Sequence, residues 1–507
     1  MDALQVALAM SFRMDALLAV GLGSVLGLIF GSIPGLTFSM ALALMLPLTF
    51  GLTPTAGMAL LVGTYIGGMT GGSVSAVLLG IPGTPSAAAT VLDGHPLARQ
   101  GKASTALGLA VVGSVFGGLF SLIVMMFVSS YVAELAIRFG SVEIFALVLF
   151  GMSTICGLAE RSLLRGLLAG VLGLMLMIVG LDELDGIPRL TFGFTDLLNG
   201  VNLVVAMIGL FAVPQIMETF LRHGAADADR RLSGKVHATL PSLRELGSHA
   251  WLMVRSATLG TAIGSIPGTG GPIAAFLAYD QARRFSRSAE TFGQGNPAGV
   301  VAPETANNAV TGGAMIPLLS LGIPGDPATA VMLGGLLIHG LRPGALLFQQ
   351  NPQQVYAIYI GFMLSYLTVL VVQLFGIRLL VQVLRIPSHY LAVGILGMCG
   401  VGSYAIRNSI GDVYLMALMG LLGYVLLRVR IPVTPIVLGL VLGPIMENEY
   451  RTALILSGGD RTTFISSLPA LLFLGLTLLT VLYQIITRVR RPPRPPAAGA
   501  AQTKSVA

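Results

Sequence analysis

The run Pro303-Glu304-Thr305-Ala306-Asn307-Asn308, with Thr311 following, is the most polar stretch inside an otherwise apolar segment. A carboxylate beside two amides can hold a cation or hydrogen-bond a polar solute, because each Asn offers a carbonyl acceptor and N–H donors. Glu304 can equally pair within the structure or sit at a helix N-terminus. A second set of chemistry-bearing positions surrounds four helix-breaking phrases. Gly31-Ser32-Ile33-Pro34-Gly35 returns as Gly264-Ser265-Ile266-Pro267-Gly268, and Gly80-Ile81-Pro82-Gly83-Thr84-Pro85 returns as Gly322-Ile323-Pro324-Gly325-Asp326-Pro327. Interrupted helices expose N–H groups that suit anions and carbonyls that suit cations. For any one hydroxyl here, bonding to its own helix carbonyl competes with solute contact.

These positions give candidate sets. For a bound solute they are Ser32, Pro34, Gly35, Thr37, Gly83, Thr84, Ser265, Pro267, Gly268, Thr269, Asn307, Asn308, Gly325 and Asp326. For a cation they are Thr70, Ser73, Glu304, Asn307 and Thr311. No Lys or Arg lies in the phrases, so an anionic solute would rest on helix termini, hydroxyls and amides, with a co-bound cation offsetting its charge. Asp326 stands where the first half has Thr84, so the halves are chemically unequal. No metal-ligand spacing is present and no cofactor is expected. Nothing pairs His95 or His339 with a recognisable nucleophile, which argues against an enzyme.

The elements that position these residues follow from composition. The 507 residues are 54% hydrophobic and 10% charged, with a mean hydropathy of +0.85. Soluble domains carry about 25% charged residues, so an all-α integral membrane protein is expected. At about 20 residues per span, the apolar segments allow about ten to twelve transmembrane helices, interrupted (re-entrant or broken) at the Ile-Pro-Gly phrases. The 65 glycines fit helices packed closely in a membrane. The net charge of +7 sits in loops flanking spans, which favours lipid headgroups over nucleic acid as the partner. The N-terminal residues lack the pattern of a cleaved signal peptide, and the two cysteines indicate neither a disulfide nor a metal site.

Along the chain, residues 1–221 form a first membrane repeat. Its later spans lie near 105–129, 142–158, 163–181 and 200–221. Residues 222–255 form a basic cytoplasmic linker, with short helical pieces around Leu240–Leu246, and 256–450 a second repeat. Residues 451–487 hold a final span and 488–507 a basic Pro/Ala tail, cytoplasmic by the positive-inside rule. Arg161 and Arg407 recur at equivalent turns and read as interfacial anchors. Basic loops distinguish the two halves. Arg283, Arg284 and Arg287 follow the first phrase in the second half, where the first half is uncharged. Arg99 and Lys102 follow the second phrase in the first half, where the second half has only Arg342. Equivalent loops therefore fall on opposite sides, and the repeats are expected to be inverted. Paired breaks in inverted halves are the best pointer to a transporter site. A passive anion channel would need a continuous polar lining, which the uncharged stretch from Ala16 to Leu92 lacks.

Several phrases carry a resemblance: Gly67-Gly68-Met69-Thr70-Gly71-Gly72, Leu92-Asp93-Gly94-His95-Pro96-Leu97-Ala98, Ala302-Pro303-Glu304-Thr305-Ala306-Asn307-Asn308-Ala309 and Leu440-Val441-Leu442-Gly443-Pro444 with Glu447 and Arg451. With the Ile-Pro-Gly phrases, they make about residues 15–460 resemble the large membrane subunit of the tripartite tricarboxylate transporters, the TctA-like permeases. The resemblance implies a multi-pass secondary transporter of the bacterial inner membrane, taking up di- or tricarboxylates such as citrate, with sodium as the coupling ion. It also implies two partners, a small four-span membrane subunit and a periplasmic solute-binding protein. Gly80 departs from the pattern, standing where many relatives carry Asn, which removes an amide from the first half.

Overall fold

The computed structural model describes residues 2–158, 163–182, 185–221, 238–268, 270–383 and 388–489. The chain is helical nearly throughout. The first half comprises α1 (Ala3–Ser11), α2 (Met14–Ser32), α3 (Phe38–Met45), α4 (Pro54–Leu79), α5 (Ala88–Leu97), α6 (Ala103–Ala136), α7 (Ser141–Leu158), α8 (Leu163–Met177) and α9 (Leu203–Leu221). The second comprises α10 (Leu243–Gly264), α11 (Gly270–Arg284), α12 (Ala298–Leu321), α13 (Pro327–Ile338), α14 (Ala345–Gln350), α15 (Pro352–Phe375), α16 (Ile377–Val383), α17 (Ser388–Arg407), α18 (Ile410–Arg428) and α19 (Thr434–Leu456). Then α20 (Leu468–Val489) follows. A two-residue antiparallel pairing, Gly180–Leu181 with Pro188–Arg189, links α8 to α9.

Each Ile-Pro-Gly phrase ends a helix, as the missing proline N–H requires. The first phrase separates α2 from α3, and its repeat separates α10 from α11. Gly80 and Gly322, both left-handed at φ +67° and +72°, stop α4 and α12. The spans read from hydropathy correspond to α6, α7, α8 and α9. Seven helices are long and apolar enough to cross a membrane among the described residues, and five apolar helices are shorter, including Pro327–Ile338 and Phe38–Gly51. Composition leads to an expectation of ten to twelve spans; length and hydropathy give seven among the described residues. The described part of the basic stretch holds more helix than expected. Leu243–Gly264 is one continuous helix through the 255/256 boundary, capped by Ser242, which accepts from the Glu245 N–H. Residues 222–237, Arg161 and the tail after Val489 lie outside the described residues.

Two glycine-lined crossings organise the centre. A Cβ on Gly27 would lie 2.4 Å from the Thr64 carbonyl oxygen and one on Gly31 2.2 Å from that of Gly68, so α2 and α4 touch backbone to backbone. The α10–α12 crossing repeats this: Gly260 meets the Ala306 carbonyl oxygen at 2.2 Å and Gly264 that of Val310 at 2.6 Å. Such approaches need residues without a Cβ. The matched contacts fix the correspondence between halves: Thr64 with Ala306, Gly68 with Val310, hence Tyr65 with Asn307. The outer helices then pack across: α6 lies on α12 and α15 on α4, while α8 lies on α19 and α18 on α9.

At its start α4 meets another element, Gly57 facing His339 just after α13; further along, it runs beside α12. Thr70 reaches Asn308 midway. Val77 near the end of α4 comes close to Val300 at the start of α12, both against Gly94. At this last end Asp93 is fully buried. Its Oδ1 accepts from the N–H groups of Gly293, Gly295 and Asn296, each at 2.8 Å. Its Oδ2 accepts from the Tyr279 hydroxyl at 2.9 Å. Burial and that bond to a carboxylate push the Tyr279 phenol upward.

Candidate functional site

The polar groups meet where α4 and α12 cross. Thr70 Oγ1 donates to Asn308 Oδ1 at 2.8 Å. Thr311 Oγ1 lies 2.8 Å from the Tyr366 hydroxyl, which donates to the Asn308 carbonyl at 3.1 Å. Asn308 Nδ2 donates to the Glu304 carbonyl at 3.2 Å. Asn307 Nδ2 donates to the Met69 carbonyl at 3.2 Å, whereas Asn307 Oδ1 has no hydrogen-bond partner among the described residues. Thr70, Glu304, Asn308 and Thr311 are fully buried, and Asn307 is 1% exposed. Buried polar side chains nearly always find partners; Asn307 Oδ1 and, two residues earlier on α12, Thr305 Oγ1 are among the few described side-chain atoms that lack one.

The two adjacent amides do not act as a unit. Neighbours on a helix point about 100° apart, so Asn308 turns to Thr70 and Tyr366 while Asn307 faces Gly271 at the start of α11. A Cβ on Gly271 would lie 2.5 Å from Asn307 Oδ1 and 3.0 Å from Ser86 Cβ. Of the cation candidates, Thr70 and Thr311 converge on Asn308. The Glu304 carboxyl turns elsewhere, accepting from Thr90 Oγ1 at 2.5 Å and Ser114 Oγ at 3.2 Å. Ser73 donates to the Thr70 carbonyl in its own helix.

The solute candidates divide by what they bond. Ser32 Oγ is bonded to the Leu28 and Gly71 carbonyls at 2.6 and 3.1 Å, pinning α2 to α4. Thr37 caps α3 by accepting from the Met40 N–H. Asp326 caps α13 in a reciprocal box with Thr329 and also accepts from the Tyr65 hydroxyl at 2.6 Å. At α3 and α13, then, the chain's own side chains bind the first-turn N–H groups. Thr84 makes no cap at the corresponding break; its Oγ1 lies 3.2 Å from Ser86 Oγ. Gly83 packs where a Cβ would strike the Gly31 carbonyl oxygen. Gly268 donates to the Gly325 carbonyl at 2.8 Å, tying the two second-half phrases together. Pro34 and Pro267 sit in turns. Gly35 is exposed, its carbonyl accepting from Gln215. Ser265 Oγ donates to the Ala262 carbonyl. Thr269 lies outside the described residues.

Tyr366, Thr90 and Ser114 join these groups without a signal taken from the sequence, and Tyr65, one of the polar residues around the first-half breaks, joins them outside the candidate sets. The tyrosines carried a usable signal: a phenol in a charge-free apolar run needs a buried partner. Outside this centre, Arg407 grips Asp412 through Nε at 2.9 Å and Nη2 at 2.5 Å. Arg451 reaches Asp182 and Asp185 at 3.0 and 2.7 Å. Glu447 pairs with Arg189 at 2.9 Å.

Residues 17–438 match the profile of the tripartite tricarboxylate transporter TctA family. An uncharacterised 52.8 kDa protein in the TAR-I ttuC' 3' region of Agrobacterium vitis is 34% identical over 469 residues, covering 92% of this chain and 93% of its own length. An uncharacterised protein in the TAR-II ttuC' 3' region of the same organism is 36% identical over 231 residues, covering 46% of this chain and 96% of its own length. No solved structure matches. A profile match over most of the chain, and a relative alike across nearly its whole length, settle the lineage: this multi-pass helical chain belongs to the tripartite tricarboxylate transporter TctA family.

Proposed function

We propose that the chain is the large permease subunit of a binding-protein-dependent secondary transporter. It takes up di- or tricarboxylates by alternating access on a cation gradient, with sodium the coupling ion. Its partners are a small four-span membrane subunit and a periplasmic solute-binding protein. It resides in the bacterial inner membrane with a cytoplasmic C-terminus. The observation that carries this reading is the buried network of Thr70, Asn308 and Thr311 at the α4–α12 crossing, with Asn307 beside it on the Met69 carbonyl, set among four helix breaks. Buried polar groups and broken helices at one crossing are the layout of a transporter site.

The inverted arrangement of the halves belongs to the same proposal. Thr70 meets Asn308 and, further along α4, Val77 comes close to Val300 earlier on α12, so α4 and α12 run in opposite directions although these helices hold matched positions. The basic segments also support it. Gln100, between Arg99 and Lys102, bonds the Gln294 carbonyl at 2.7 Å, close in sequence to Arg283, Arg284 and Arg287. Loops that are not equivalent thus share the basic end. The helix breaks in this reading are re-entrant and flank the site. Uptake of labelled citrate by cells expressing the chain with both partner subunits, in sodium and in choline, tests the reading. Asn307→Ala with Asn308→Ala is expected to abolish uptake with membrane insertion retained. Undiminished uptake would refute the site.

A further inference from the structure

The matched crossings make a second comparison possible, between the places where each half's long helix meets the other half's second break. At one, Tyr65 of α4 donates to Asp326 at 2.6 Å, and the Phe38 and Tyr65 rings lie 6.2 Å apart. Phe38 presses on Gly68, where a Cβ would lie 2.4 Å from its own. At the other, the corresponding residues are Gly271 for Phe38, Asn307 for Tyr65 and Thr84 for Asp326. Two aromatic rings and a carboxylate are thus replaced by a hydrogen, an amide and a hydroxyl. The first crossing is complete: every carboxylate oxygen of Asp326 has a donor. The second leaves Asn307 Oδ1 buried and unpartnered among the described residues, beside Gly271 and Ser86.

The orientation of that amide is set by its neighbour. The Met69 carbonyl can only accept, so the nitrogen of Asn307 must face it, and the unsatisfied atom is the oxygen. What it lacks is a hydrogen. Ionised carboxylates offer none. A bound cation would call for several oxygens together, whereas at this crossing Asn307 Oδ1 is the acceptor left without a donor among the described residues. One unmet acceptor matches one hydroxyl donor.

We propose that the Gly271–Asn307–Ser86 crossing is the solute position, that its counterpart is filled by Phe38, Tyr65 and Asp326, and that Asn307 Oδ1 accepts the hydroxyl hydrogen of a hydroxycarboxylate. This rests on the carboxylate permease reading and narrows it. A site built to pair a solute hydroxyl rejects the analogue lacking it, because the buried acceptor is then left unpaired.

The test uses purified full-length protein and two matched pairs of probes, malate against succinate and citrate against tricarballylate. Affinity is read from ligand-dependent thermal unfolding. The hydroxylated member of each pair is expected to bind about tenfold tighter or better. Asn307→Leu should bring the ratio towards one, and Gly271→Ala should weaken both members of each pair. Gly394→Ala, in α17 where a Cβ meets nothing within 4 Å, should leave the ratio intact. Equal binding of paired probes by the unaltered protein overturns the proposal without any variant having to fold. So does a ratio that survives Asn307→Leu, or protection by sodium chloride alone that Asn307→Leu removes. If no probe protects, the hydroxycarboxylate assignment fails; uptake of another carboxylate by cells would show that the permease reading still stands.

Discussion

The Tyr65 hydroxyl donates to Asp326 Oδ2 at 2.6 Å, joining residues 261 positions apart in the chain. The bond ties the long α4 helix of one half to the start of α13 in the other, and both side chains are buried. Asp326 also holds the Thr329 N–H at 2.7 Å, so one carboxylate serves a helix start and an inter-half contact together. Tyr65→Phe leaves the carboxylate one donor short at nearly constant volume. It should cost about 1–3 kcal/mol, measurable as a lower unfolding temperature in detergent. An unchanged transition would mean that the bond contributes nothing.

Close backbone approach makes a sharper contrast between glycines. Gly31→Ala must push α2 from α4, because its Cβ would lie 2.2 Å from the Gly68 carbonyl oxygen. Overpacking of this kind costs about 1–3 kcal/mol or more. Gly394 in α17 has nothing within 4 Å of a Cβ, so Gly394→Ala should be neutral or gain up to about 1 kcal/mol from helix propensity. Comparable effects of the two substitutions in thermal unfolding would contradict the packing described.

Asp93 locks the segment leading into α12. Asp93→Ala strips three backbone N–H groups and the Tyr279 hydroxyl of their acceptor, whereas Asp93→Asn keeps an acceptor oxygen. Hydrogen exchange at Gly293, Gly295 and Asn296 is expected to speed up at least tenfold in the Ala variant and less in the Asn variant. Unaltered exchange in both would show that the loop is held by other contacts.

Arg407 and Asp412 form a two-pronged pair in which the Asp412 side chain is 3% exposed. Arg407→Ala would leave that carboxylate buried without its partner, at a cost of about 3–5 kcal/mol. Arg407→Lys keeps the charge and loses the fork, so it should fall between. The order of unfolding temperatures, unaltered above Lys above Ala, is the readout; a Lys variant no better than Ala would assign the effect to fork geometry alone.

The boundaries of several long helices, though not of α10 or the far end of α6, were legible because apolar length and prolines act locally. The ends of α4 and α12 follow from Gly80-Ile81-Pro82 and Gly322-Ile323-Pro324, and α7 to α9 from hydropathy alone. The polar centre was only half legible. Asn307, Asn308, Thr70 and Thr311 stood out as amides and hydroxyls in apolar sequence, and three of them do share a network. Glu304 belonged to the same run, yet its carboxyl faces Thr90 and Ser114, since the rotation of α12 against α5 and α6 decides which way it points.

What the sequence by itself determined is therefore the membrane class, the doubled breaks, and the chemical inequality of Thr84 and Asp326. All of these rest on composition and on order along the chain. Tertiary structure alone decided which groups meet. The glycine contacts at Gly27, Gly31, Gly260 and Gly264 set how closely and at what register the helices cross. That register places Tyr65 against Asp326 and leaves Asn307 Oδ1 without a donor among the described residues. Hydrogen bonds across helices depend on rotation and approach within a few tenths of an ångström, and no local pattern of residues encodes these.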